Sequence, residues 1–191
     1  MTSQVLSHLE PSSIEAIAAQ LGVDPAQAET AIQQAVPLVV GSLAHNASTG
    51  AGASALHDTA ADHAGMDIGS ILGSVLGGGG AGGSILGHIF GSRQDQAAQN
   101  LGQASGLDAQ NAGPLLAMLA LVIMGVLGNV IQKQGMNPGG LGDMLGREAQ
   151  RIWKGGGGPL SSVLDQDGDG KLGLGDLLKV GSKFLGSRRS V

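Results

Sequence analysis

Apolar residues near the start of the chain recur at helical spacing. Ile14, Ile17, Ala18 and Leu21 form one stripe of a helix that Ser12 or Ser13 can cap and that Gly22 ends. Asp24-Pro25 then restarts a helix. An Asp at the N-cap accepts an unpaired backbone N–H, and a Pro at the first helical position loses nothing because its missing N–H had no intrahelical partner. This second helix carries Ala28, Ala31, Ile32, Ala35 and Val36, with a kink predicted at Pro37 before Leu38 to Ala44 continue.

The same pattern returns downstream. Gly22, Val23, Asp24, Ala28, Ile32, Gly41 and Leu43 align without gaps with Gly106, Leu107, Asp108, Ala112, Leu116, Gly125 and Leu127, at a constant offset of 84 residues. The pattern reads as a duplicated unit, about residues 12–47 and 96–134: a short helix, a G-[VL]-D cap and a long apolar helix. Chance similarity between two Ala- and Leu-rich helices is the competing reading. Between the copies, Gly69, Gly73 and Gly77 are spaced by four, as are Gly83, Gly87 and Gly91. On helices this spacing puts each set on one face, where missing Cβ atoms permit close approach, and it predicts a glycine-faced helical hairpin over 67–91. A flexible linker is the alternative, opposed by Ile71, Leu72, Val75, Leu76, Ile85, Leu86, Ile89 and Phe90.

After the second long helix, Asn137-Pro138 marks a turn. The stretch LGDMLGREAQRIWK then gives an amphipathic helix with Leu141, Leu145, Ala149 and Ile152 on one side. Four glycines, Gly155 to Gly158, set the best internal boundary, dividing a helical domain, 1–154, from a C-terminal segment, 155–191.

That segment holds the clearest chemical motif, DQDGDGKLGLGD. Counting Asp165 as position 1, carboxylates fall at 1, 3, 5 and 12 (Asp165, Asp167, Asp169, Asp176), with Gly170 at 6 and Lys171 offering its backbone carbonyl at 7. Calcium takes six to eight oxygens, and Gly at 6 permits the turn that brings the last carboxylate round. An Asx-rich turn would explain the composition but not the spacing. Gly173 at position 9 leaves a vertex for water. Asp176 stands where Glu is usual, and its shorter arm should weaken calcium binding and bring magnesium closer in preference. One loop is present, so paired-loop sensing is not available within the chain.

Composition narrows the remaining classes. Cysteine and Tyr are absent, and Trp153, Phe90 and Phe184 are the only aromatics, so the core must be aliphatic. Thiolate chemistry and disulfides are excluded. The formal net charge of −5 and the few Lys and Arg give no basic footprint for nucleic acid. No basic and apolar leader opens the chain, so a cytoplasmic location is the default. His57, Asp58, Asp62 and His63 read as a solvated helix face, because the two histidines are six residues apart. His45 and His88 read as residues at helix ends. No phosphate loop, nucleophile elbow or other catalytic constellation is present, and a non-enzymatic role is expected. The apolar segment from Leu115 to Ile131 reads as a buried central helix, with a membrane span as the alternative.

Together, the G-[VL]-D cap before a long apolar helix, the element GGSILGHIFG and the Gly-rich lead into a DxDGDG loop resemble the bacterial YidB-like family of domains of unknown function. The resemblance covers most of the chain. It implies an all-α fold and a bacterial source, and it supplies no activity or catalytic residues. The resulting expectation is an all-α protein with calcium as its ion, and homo-oligomers or membrane association as alternatives for its glycine-rich helices.

Overall fold

The computed structural model describes residues 9–65 and 81–154, with Thr2, Val5 and Leu6 ahead of them. Among these residues every regular element is helical. In chain order they are α1 (Pro11–Leu21), α2 (Pro25–Asn46), α3 (Gly50–Asp62), α4 (Ala81–Phe90), a 3-10 turn (Gly91–Arg93), α5 (Gln94–Ser105), α6 (Ala109–Gln134) and α7 (Pro138–Lys154). The fold is all-α.

Two long helices organise it. α6 packs against α1 to α5, while α2 touches each of the other helices and α7 packs on both α2 and α3. The core is aliphatic, as the lack of aromatics requires, and Leu115, Leu116, Leu119, Ile123 and Leu127 of α6 are completely buried within it. By length and composition, Gln110–Gln134 is apolar enough to cross a membrane, and 78% of its most apolar window is covered by the surrounding helices. α7 shows the predicted stripe: Leu141 and Leu145 are wholly buried and Ala149 nearly so.

The two G-[VL]-D turns share one geometry. Gly22 ends α1 at φ 65° and Gly106 ends α5 at φ 72°, left-handed conformations that a Cβ would strain. Asp24 and Asp108 then stand at the N-caps of α2 and α6 with extended backbones. Asp24 accepts a hydrogen bond from the Ala26 N–H at 2.9 Å, whereas Asp108 makes no capping bond through its side chain. Asn137 caps α7 in the same manner, accepting from the Gly140 N–H at 2.8 Å.

Two sequence expectations change. α1 begins at Pro11 with Glu10 at its N-cap, so neither Ser12 nor Ser13 caps it; Pro at the first helical position suffices. α2 continues past Pro37 to Asn46, as expected, and the carbonyl of Gln33, which loses its partner there, belongs to an exposed residue.

The second change concerns the hairpin. Its second arm forms α4, but Gly83 and Gly87 are exposed, with no atom within 4 Å of where a Cβ would stand. The apolar side of α4 decides its orientation. Burying Ile85, Leu86, Ile89 and Phe90, each contributing roughly 1.5–3 kcal/mol, outweighs any gain from glycine-mediated approach. Close approach occurs instead at Gly52, Gly128 and Gly142, whose missing Cβ atoms admit the backbones of Asn46, Ala60 and Ala47. The first arm, 67–80, lies outside the described residues.

Candidate functional site

The calcium-loop residues Asp165, Asp167, Asp169, Lys171 and Asp176 also lie outside the described residues, as does the four-glycine boundary before them. Among the described residues, no group of three or more His, Asp or Glu side chains comes together to hold a metal. His57, Asp58, Asp62 and His63 do not converge. Asp58 and Asp62 are exposed, while His63 donates from Nδ1 to the Thr59 carbonyl one turn back at 2.7 Å.

His57 departs from its expected place on a solvated face. It is half-buried and donates from Nε2 to the Met136 carbonyl at 2.9 Å, tying α3 to the turn between α6 and α7. Its position beside polar neighbours concealed this, because the carbonyl it meets lies 79 residues away in sequence. His45 and His88 do occupy the last turns of α2 and α4, as their sequence positions implied.

Polar side chains on α2 serve other helices' ends. The last carbonyls of a helix have no intrahelical partner and cost free energy when covered. Asn46 donates to the carbonyls of His88 and Ile89 near the end of α4, both at 2.9 Å. Gln27 and Gln34 donate to Gly106 and Ala104 at the end of α5, at 2.8 and 3.2 Å. Beside Asn46 a cavity of about 270 Å³ opens between α2, α3, α4 and α6, lined chiefly by Leu43, Leu56, Ile85, Ile89 and Met124. Its lining is mostly apolar, with Asn46, Thr59 and His88 as polar members and no carboxylate to pair with His88, so it offers shape more than chemistry.

The strongest buried charge is Glu148 on the core side of α7, 6% exposed. One carboxylate oxygen accepts from the Thr2 backbone N–H at 2.7 Å and the other from Arg151 at 3.1 Å. Burial works against its ionisation, but the hydrogen bonding from Thr2 and the chain's amino-terminal charge outweigh this and lower its pKa from 4.5 to about 2. Nothing in the α7 sequence pattern marks Glu148 as special; only the return of the chain's first residues onto α7 makes it so.

The fold and these contacts define a helical protein held by aliphatic packing and side-chain caps. The chain belongs to the DUF937 family, a bacterial protein family of unknown function, whose pattern matches residues 3–130. The match spans both G-[VL]-D units and ends within α6, before α7 and the C-terminal loop. No curated protein and no solved structure matches the chain.

Proposed function

We propose that this chain is a non-enzymatic, divalent-cation-binding member of its family, of the YidB-like kind, in which the loop from Asp165 to Asp176 takes one calcium ion. The observation that carries the reading is the spacing of four carboxylates at positions 1, 3, 5 and 12 around Gly170. Asp165, Asp167 and Asp169 supply one side of the shell, Lys171 its backbone carbonyl and Asp176 the closing carboxylate. Binding relieves repulsion among these acids and orders the segment that follows α7. The ion is then a structural element, with a cytoplasmic location as the working assumption.

Such an ion stabilises by linkage, by about 2.7 kcal/mol at a free concentration one hundred times its Kd. Calorimetric titration of calcium, and separately magnesium, into the full chain and into Asp165→Ala/Asp169→Ala tests the proposal. Wild type should give single-site heats that the variant lacks, with calcium preferred. Equal, negligible heats in both proteins would refute it.

A further inference from the structure

Trp153 is the one large apolar side chain exposed among the described residues, 45% exposed in the last turn of α7. The apolar side of that helix is already used, since Leu141, Leu145 and Ala149 are buried against the bundle. Along its outer side Arg147, Arg151 and Lys154 follow at helical spacing, all exposed. Basic residues near a helix C-terminus complement its dipole. The dipole gives no reason for an exposed indole in the same last turn, next to Lys154 in sequence but about a quarter-turn off the basic stripe.

The distribution of charge along the chain points the same way. Residues 1–146 carry only Arg93 and Lys133 against ten Asp and Glu, net −8, whereas from Arg147 onward eight Lys and Arg face five Asp and Glu, net +3; from Arg147 to Lys154 the balance is three basic residues against Glu148. The positive balance of Arg147, Arg151 and Lys154 over Glu148 favours approach of the end of α7 to a negative surface, with the acidic body turned away. Trp combines a large apolar ring with a polar N–H, which suits the boundary between lipid headgroups and acyl chains. Exposed Lys and Arg beside it add attraction to anionic headgroups.

We propose that the C-terminal end of α7 docks on an anionic lipid bilayer, with Trp153 entering the interfacial layer and Arg147, Arg151 and Lys154 facing the headgroups. Asp143 opens the same outer stripe and Glu148 engages Arg151, so Arg147 and Lys154 carry most of the attraction. This contact leaves α6 in the core. It is independent of the cation loop and is tested with EDTA present.

Trp153 is the chain's only tryptophan and there is no Tyr, so intrinsic fluorescence reports on this residue alone. The full chain is mixed with phosphatidylglycerol vesicles and, separately, phosphatidylcholine vesicles, then followed by Trp emission and by flotation. Wild type should float with the anionic vesicles, shift its emission to the blue and release at high salt. Neutral vesicles should bind roughly thirtyfold more weakly or worse, the effect of Arg147 and Lys154. Arg147→Gln/Lys154→Gln should weaken anionic binding roughly thirtyfold, and Trp153→Ala should reduce flotation at unchanged far-UV circular dichroism. Absence of flotation, equal binding to neutral vesicles, or anionic binding that survives in both variants would overturn the proposal.

Discussion

Replacing Gly128 with Ala tests how closely α3 and α6 pack. A Cβ at this position would meet the Ala60 carbonyl oxygen and lie 2.9 Å from both Cα and Cβ of Ala64. The obstacles are backbone or lie next to it, so they cannot turn aside as a long side chain would. The end of α3 must retreat by about 1 Å, loosening contacts over its last turn. Overpacking of this kind costs roughly 1–3 kcal/mol, while Ala for Gly in a helix returns about 1 kcal/mol. With the obstacle being backbone, the upper figure applies and a net loss of about 2 kcal/mol is expected. Gly146 in α7 is the control: no atom lies within 4 Å of its would-be Cβ. Ala there should raise stability by about 1 kcal/mol through propensity alone. In thermal unfolding followed by circular dichroism, Gly128→Ala should melt roughly 4–8 °C below wild type and Gly146→Ala a few degrees above it. A Gly128→Ala protein at or above the wild-type midpoint would refute the close α3–α6 contact.

Two further perturbations probe polar groups. The pKa of Glu148, lowered from 4.5 to about 2, contributes stability that is fully present above the unfolded value and is lost as pH falls from about 4.5 toward 2. Its size is on the order of 3 kcal/mol, so the urea midpoints of wild type and Glu148→Gln should differ clearly at neutral pH and converge near pH 2; a pH-independent difference would contradict the assignment. Asn46→Leu leaves the His88 and Ile89 carbonyls without their side-chain donor. It should cost about 0.5–1.5 kcal/mol and speed hydrogen exchange in α4 ahead of α6, whereas unchanged exchange in α4 would show that the cap is not needed.

Much of the helical layout is set by the chain locally. The turns at Gly22 and Gly106 follow from residue chemistry, because left-handed backbone favours Gly, and so does the N-cap at Asp24, whose carboxylate takes the Ala26 N–H. The stripe of Leu141, Leu145 and Ala149 likewise follows from a period of 3.6 residues. The carboxylate spacing from Asp165 to Asp176 is a property of sequence alone, and it remains the foundation of the cation-binding proposal.

Tertiary structure decided what local pattern leaves degenerate. A spacing of four describes a glycine face and the apolar face beside it equally well. Packing turned Ile85, Leu86, Ile89 and Phe90 of α4 inward and left Gly83 and Gly87 in solvent. Close approach fell instead to Gly128 and Gly142, which no repeat marked, because which helices cross at which residue is a long-range property. Glu148, Asn46 and His57 were hidden for the same reason: each meets backbone groups more than forty residues away, and the need to satisfy those groups arises only once the helices pack.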